Sequence, residues 1–221
     1  MTMMARKHYT VREIYAITYH AARTARFMAG SQLGRDRQFT ERIMLTVTQI
    51  NGCELCSYAH TRFALEAGLS EAEVRALLGG SSTSIPDHQL PALAFAQHYA
   101  ESRGHPDPLA WQDLVATDGE HEALGALAAV RVMMWGNAVG IPLSSLRSRL
   151  KGAPDAGSTL HYEVATILGS AVVLPPALVH ALISMLRGVP VHSGWGKGEQ
   201  RWRQEARDPS QAVGLPPGLP V

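Results

Sequence analysis

Apolar residues recur every three or four positions along most of the chain, which is the spacing of the buried face of an α-helix. Glycines, prolines and one Ser-x-x-Glu capping pattern, Ser70 to Glu73, interrupt this spacing at intervals that suit helix ends. No convincing strand pattern occurs between them, so the sequence predicts an all-α fold. The first predicted helix covers residues 11–30, the second is capped by Thr40, the third carries the cysteines and ends at Gly68, and the fourth runs from Ser70 to Gly79-Gly80. Three more helices are predicted over 90–102, 106–118 and 120–139. Gly140 and Pro142 should stop the last of these.

The C-terminal part has a different pattern. After a Gly-containing linker, the run from Val164 to Val179 carries no charge for sixteen residues and contains Pro175-Pro176. A bilayer span needs roughly twenty residues. We therefore predict a helical hairpin that packs on the core or on a sister subunit rather than in a membrane. The predicted organisation is a helical domain over 1–150, the hairpin extension over 158–187 and a flexible Pro- and Gly-rich tail over 188–221.

Composition narrows the possible functions. The chain has 221 residues, 46% of them apolar, and its 20 Lys and Arg nearly balance its 19 Asp and Glu. This length and composition suit one main packed domain, and the absence of a long basic run argues against a nucleic-acid partner. The N-terminus does not have the apolar core of a secretory signal. We therefore expect a cytoplasmic location.

The most specific motif is Cys53-Glu54-Leu55-Cys56, followed by His60. In a helix that begins near Gly52, the two cysteines and the histidine would share one narrow stripe. Cysteines three residues apart on a helix can close a disulfide with little backbone movement. In the cytoplasm, such a pair indicates catalytic, redox or metal-binding chemistry rather than a permanent staple. A zinc site needs four ligands, and there is no third cysteine, so we expect a redox-active pair without a metal.

With Glu41 and the segment Ala67-Gly68-Leu69-Ser70, this motif resembles the carboxymuconolactone decarboxylase superfamily in its alkylhydroperoxidase AhpD-like branch. That family has a glutamate in an apolar helix, a Cys-x-x-Cys at the start of the next helix, a histidine one turn later and a Gly-Leu-Ser-type helix start. The segment 135–143 also resembles the Asn-containing end of the family's domain. We interpret Asn137 itself as a helix-terminal hydrogen-bonding group rather than a site residue. The resemblance covers roughly residues 15–146.

The resemblance implies an all-helical subunit that assembles into trimers or hexamers and has thiol-dependent peroxidase or disulfide-reductase activity without a cofactor. By the family's pattern, Cys56 attacks the hydroperoxide and Cys53 resolves the product to a disulfide. His60 would accept the proton of Cys56, and Glu41 would orient His60 or hold a water. An external dithiol or a thioredoxin-like protein would reduce the disulfide. This chain has Leu55 where the best-described peroxidases have a second proton-handling histidine.

Two other functions stay open at this point. The superfamily also contains decarboxylases and lactone-processing enzymes, whose acid–base chemistry does not require a cysteine pair. A non-enzymatic redox sensor could use the same disulfide to change how the C-terminal extension packs. Sustained turnover of a hydroperoxide would distinguish the peroxidase from the sensor.

Overall fold

The computed structural model describes residues 6–81 and 85–192, and within these ranges the chain is all-α with no strand. The prediction of an all-α fold is confirmed. Two short 3-10 turns, Gln32–Gly34 and Asp87–Gln89, connect some of the helices. The helices are α1 Val11–Gly30, α2 Arg37–Asn51, α3 Glu54–Glu66, α4 Glu71–Leu78, α5 Leu90–Glu101, α6 Pro108–Asp118, α7 Glu120–Leu150 and α8 Leu160–Leu186.

Helix α7 is the centre of the fold. It packs on α1, α2, α3, α5, α6 and α8. Small residues make this possible, because Ala123, Ala126, Ala128, Ala129 and Ala138 are fully or almost fully buried and let neighbouring helices approach. Cys53, in the connection between α2 and α3, and Cys56, in the first turn of α3, both lie against α7.

The predicted stop at Gly140 and Pro142 is wrong, because α7 continues through both residues to Leu150. A proline inside a helix removes one hydrogen bond and costs about 3 kcal/mol. Here the packing of α7 on six other helices outweighs that loss. After Pro142, the helix is also tied to α8 by Arg149, which donates to both carboxylate oxygens of Glu163 at 2.8 and 2.9 Å.

The predicted C-terminal hairpin is also wrong, because α8 is one helix that contains Pro175 and Pro176. Both prolines and the residues four positions earlier, Ala171 and Val172, are exposed. Water can therefore hydrogen-bond to the carbonyls that the prolines leave without a donor. Both halves of α8 pack along α1: in the first half Gly169 lies against the side chain of Val11, and in the second half Tyr15 and Tyr19 hydrogen-bond with His180 and Ser184.

Because α8 is one continuous helix, it is long enough to be considered as a membrane span. Both α7 and α8 are long and apolar enough to cross a membrane by length and composition alone. The apolar window of α7 is mostly buried in the fold, whereas only 17% of that of α8 is buried. The break at Pro175-Pro176, on which the sequence argument against a span relied, does not exist.

The first residues of the predicted tail are held by the fold. The guanidinium of Arg23 donates to the carbonyl of Val189, and that of Arg131 donates to the carbonyl of Val191 at 3.0 Å. The rest of the tail prediction, from residue 193 onward, lies outside the described residues.

Candidate functional site

The two cysteines form a disulfide at the N-terminus of α3, with their Cα atoms 5.3 Å apart. The prediction that Cys53 lies inside the helix is wrong: Cys53 is the N-cap residue of α3 and has an extended backbone. Its sulfur accepts a hydrogen bond from the backbone N–H of Cys56 at 3.3 Å. Cys53 is fully buried and Cys56 is 8% exposed. The predicted disulfide between Cys53 and Cys56 is confirmed. The predicted shared face of α3, however, includes Cys56 and His60 but not Cys53, which lies outside the helix.

A single glycine brings α3 to this position. Gly52 ends α2 in the left-handed conformation, with φ of 72°, and its N–H donates to the carbonyl of Thr48. Glycine adopts this conformation without steric penalty. The chain therefore reverses in one residue, and Cys53 follows directly as the cap of the next helix.

Helix α7 covers the disulfide through glycines. A Cβ atom on Gly140 would come within 2.8 Å of the sulfurs of both Cys53 and Cys56, closer than a carbon atom can approach. One turn earlier, the carbonyl oxygen of Gly136 lies 3.7 Å from the sulfur of Cys56, where it can accept a hydrogen bond from the reduced thiol. The sequence analysis predicted a helix stop at Gly140 and missed that the absence of a side chain there lets α7 approach the disulfide. Its only sequence signal was a glycine within a strongly apolar helix.

Glu41 and His60 form the second part of the site. The Oε2 atom of Glu41, on α2, lies 2.7 Å from Nδ1 of His60, on α3. Glu41 is 9% exposed, and the edge of the His60 ring faces Phe63. When the carboxylate accepts the Nδ1 hydrogen, Nε2 of the neutral ring is left as the basic nitrogen. The structure thus brings together the predicted glutamate and histidine.

Glu41 reaches this place because α2 begins earlier than predicted. The cap of α2 is Asp36, whose carboxylate accepts from the N–H of Phe39 at 2.9 Å, and Thr40 lies inside the helix. The hydroxyl of Thr40 instead donates to the carbonyl of Leu33. Glu41 therefore lies in the second turn and points into the fold, away from the helix end that would favour an acidic side chain merely through the helix dipole.

His60 follows Cys56 by four residues in α3, so the two side chains lie on the same face of the helix one turn apart. The direct polar contact of His60 is with Glu41, and its ring contact is with Phe63. Proton exchange between His60 and Cys56 therefore needs a water or a substrate atom between them.

The prediction that Asn137 lies at a helix end is wrong, because it lies in the middle of α7 and is fully buried. Its side-chain oxygen accepts from the Thr48 hydroxyl at 3.3 Å, and its amide donates to the Val47 carbonyl at 3.4 Å. These bonds join α7 to α2 one turn before the connection that carries the cysteines. Asn137 therefore holds α7 against the last turn of α2, next to the disulfide.

An open cleft of about 490 Å³ lies beside the first turn of α3. Leu55 and Tyr58 of α3 face Leu143 and Arg147 of α7 across it. Tyr58 is 75% exposed and Leu55 is 37% exposed. Leu55, which stands at the position of the family's additional histidine, is thus an apolar wall of this cleft.

Within residues 6–81 and 85–192, no group of three or more His, Cys, Asp or Glu side chains is arranged to hold a metal ion. The polar groups that the structure brings together at the site are the two cysteines and the Glu41–His60 pair.

Comparison with known proteins gives one family. The family model "Carboxymuconolactone decarboxylase family" matches residues 18–101, which include Glu41, both cysteines and His60. The matched range ends before the segment 135–143, so it does not include Gly140 or Asn137. No curated protein and no solved structure gives a significant match to the chain.

Proposed function

Because residues 18–101 form a domain of the carboxymuconolactone decarboxylase family, we propose that the chain is a thiol-dependent oxidoreductase that reduces hydroperoxides by cycling Cys53 and Cys56 between dithiol and disulfide. The observation that carries this proposal is the disulfide at the N-terminus of α3, one helical turn from a histidine that is held by a buried glutamate.

In the proposed reaction, the thiolate of Cys56 attacks the terminal oxygen of a hydroperoxide. An S–O bond forms, the O–O bond breaks, and the leaving alkoxide takes up a proton to give the alcohol. Cys56 is now a sulfenic acid. The thiolate of Cys53 then attacks the sulfur of Cys56, the S–S bond forms, and hydroxide leaves as water after protonation. An external dithiol supplies the two electrons and two protons that restore the pair.

The difference in burial supports the assignment of roles. Cys56 is the more exposed of the two residues, and its backbone N–H already donates to the sulfur of Cys53. A thiolate at the N-cap position is stabilised by that N–H and by the helix dipole. Cys53 is thus suited to resolve the sulfenic acid from a buried position, while Cys56 meets the substrate.

A lower thiol pKa alone would contribute little to the rate. A larger thiolate fraction is largely offset by the lower nucleophilicity of a more acidic thiol, whose Brønsted slope is about 0.4–0.5. Acid–base assistance by His60 therefore has to supply much of the catalysis. Glu41 keeps the imidazole oriented with Nε2 as its basic nitrogen, so that it can take the thiol proton and return it to the leaving oxygen.

We place the protein in the cytoplasm, where a thioredoxin-like protein or a small dithiol can serve as the reductant. We also propose that it is a homo-oligomer, a trimer or hexamer. Exposed apolar side chains on α8 support this assembly, because a stable monomer would leave them in water: Leu168, Val172, Val179, Leu182 and Leu186 are each more than half exposed.

Trapping of the sulfenic acid tests the assignment of roles. The Cys53→Ser variant keeps a good N-cap residue for α3. After one equivalent of tert-butyl hydroperoxide, a dimedone-type reagent should label Cys56 in this variant, as located by peptide mass spectrometry. The matched Cys56→Ser variant should not be labelled. Labelling of Cys53 in Cys56→Ser would reverse the roles, and labelling of neither variant would contradict the peroxidase proposal.

A further inference from the structure

The cleft between α3 and α7 continues the face of α7 that covers the disulfide. One stripe along α7 contains, in order, Gly136, Gly140, Leu143 and Arg147, which follow one another at intervals of four, three and four residues. The two glycines lie against the sulfurs, and the other two residues line the cleft. A ligand in the cleft therefore lies on the same face of α7 as the sulfurs, beginning one turn further along the helix.

The cleft has a positive end that lies about 10 Å from the sulfurs along the axis of α7, because Arg147 follows Gly140 by seven residues and each residue of a helix adds 1.5 Å. Side chains on a helix lean toward its N-terminus, which at Arg147 is the direction of the disulfide. Lys151, the C-cap residue of α7, adds a second cation to the same end.

The charges of the cleft favour an anion. Within residues 6–81 and 85–192, Arg147 and Lys151 form no ion pair, and both are exposed. Glu54 is the acid in the lining, and it is paired with Arg6 at 2.5 Å. Arg6 also pairs with Asp155, which lies outside the lining. The two cations at the α7 end are therefore the charges that the cleft offers to a ligand.

Apolar side chains form the part of the cleft next to the cysteine motif. These are Leu55, Tyr58 and Leu143, and each of them is more than a third exposed. They gain free energy when the hydrocarbon part of a ligand covers them. The volume of about 490 Å³ is within the range of roughly 300–1,000 Å³ that is usual for small-molecule sites. The cleft therefore suits an amphipathic anion with a hydrocarbon chain.

We propose that the cleft selects fatty-acid hydroperoxides, with the carboxylate at Arg147 and Lys151 and the hydroperoxide at Cys56. The planar donors of a guanidinium match the two oxygens of a carboxylate. An extended chain advances roughly 1.2 Å per bond, so about eight bonds should separate the two groups. This inference rests on the proposed function, because it names the substrate of the same cysteine pair. The hydroperoxide becomes the hydroxy acid, the two thiols become the disulfide, and water is released.

Steady-state kinetics with the 9-hydroperoxide of linoleic acid, its methyl ester and tert-butyl hydroperoxide test the proposal, with dithiothreitol as reductant. At low salt, kcat/KM should be about fivefold higher for the acid than for the ester, the upper end of what an exposed ion pair contributes. This ratio should fall in about 1 M sodium chloride, which screens exposed charges. Both long-chain substrates should exceed tert-butyl hydroperoxide about tenfold or more, since burial of two methylene groups suffices for that difference.

The outcomes separate this inference from the proposed function. Equal kcat/KM for the acid and the ester, with tert-butyl hydroperoxide consumed, would overturn the carboxylate site and leave the peroxidase function standing. If none of the three hydroperoxides is consumed faster than with dithiothreitol alone, the function and the inference both fail. The 13-hydroperoxide, whose carboxylate is four bonds further away, should show a smaller ratio of acid to ester. An equal or larger ratio would contradict the assigned distance.

Variants locate the carboxylate. Arg147→Met keeps most of the length of the side chain and removes its charge, and it should fold because Arg147 is exposed. It should lower the ratio of acid to ester, and Arg147→Met/Lys151→Met should abolish the preference for the acid. Arg75→Met removes an exposed arginine of α4 outside the cleft. It is the matched control for the change in net charge and should keep the wild-type ratio. A wild-type ratio in the double variant would overturn the proposed site.

Discussion

Oε2 of Glu41 and Nδ1 of His60 lie 2.7 Å apart, and this contact joins α2 to α3 beside the disulfide. The two residues are separated by nineteen positions in the sequence, and the turn at Gly52 brings them together. Their contact fixes which nitrogen of the imidazole is available to a thiol or a substrate.

The first prediction concerns this pair. His60→Ala and Glu41→Gln should each lower kcat/KM for a hydroperoxide by about 10²–10⁴-fold, the usual scale of general acid–base assistance. The rate is measured as hydroperoxide consumption with dithiothreitol as reductant. Glu66→Gln is the matched control, because Glu66 is an exposed glutamate of α3 that pairs with Arg62, and it should keep wild-type activity.

The double variant shows whether Glu41 acts through His60. If it does, Glu41→Gln/His60→Ala should be no slower than His60→Ala alone, because residues that act as a unit are strongly non-additive. If the fold-loss in kcat/KM of the double variant equals the product of the two single fold-losses, Glu41 contributes independently of His60. That result would contradict its role as a positioning residue.

The second prediction concerns the approach of α7 to the disulfide. Gly140→Ala places a methyl group within 2.8 Å of both sulfurs, so it should lower the free energy of unfolding by about 1–3 kcal/mol, as is usual for overpacking. Gly136→Ala is the matched control on the same helix. Its methyl group would meet only the end of the Met133 side chain at 3.5 Å, and the better helix propensity of alanine should stabilise the protein by up to about 1 kcal/mol.

Chemical denaturation of the two oxidised variants measures this difference. A Gly140→Ala protein as stable as Gly136→Ala would show that α7 does not hold the sulfurs as closely as described.

The third prediction is a pH dependence that originates at His20. The pKa of His20 is about 3 in the folded protein and 6.5 for an unperturbed histidine. Between these values the unfolded chain binds a proton that the folded chain does not bind. The free energy of unfolding should therefore fall as the pH falls through this interval, by up to about 1.4 kcal/mol per pH unit from this residue.

His20→Gln removes that contribution, so its unfolding free energy should depend less steeply on pH between 6 and 4 than that of the wild type. His121→Gln, at a histidine whose side chain is 67% exposed, is the matched control for replacing a histidine by glutamine. Identical slopes for all three proteins would show that His20 titrates normally.

The fourth prediction concerns assembly. Multi-angle light scattering should give the mass of a trimer or hexamer at micromolar concentration, since the exposed apolar face of α8 would otherwise lie in water. Val172→Lys changes a side chain that is 72% exposed, so it should not unfold the chain, and it should shift the protein toward the monomer. A stable wild-type monomer would refute the assembly.

Much of the site could be predicted because its residues lie in two adjacent helices. The cysteine spacing predicts a disulfide, and the family pattern selects Glu41 and His60 from many acids and histidines. The predicted start of α2 at Thr40 was wrong, because the structure caps the helix with Asp36, which is also a favoured cap residue. The start of α3 was also predicted one position too early. Because α3 begins at Glu54, Cys53 is its cap residue and not a residue inside the helix.

The remainder depends on contacts that are distant in sequence. Gly140 and Pro142 are local stop signals, and nothing near them indicates that the disulfide lies against Gly140 or that packing outweighs the missing hydrogen bond. Pro175 and Pro176 likewise predict a break unless one knows that both halves of α8 lie on α1. Local propensity fails at these places because tertiary contacts decide the conformation.

Steady-state consumption of tert-butyl hydroperoxide with dithiothreitol tests the central claim most directly. We expect the intact protein to consume many equivalents per chain above the rate of dithiothreitol alone, and Cys56→Ser to consume none above that rate. Consumption of a single equivalent by the intact protein would indicate a sensor. Equal consumption by the wild type and Cys56→Ser would show that the cysteine pair does not carry out the reaction, and would contradict the account.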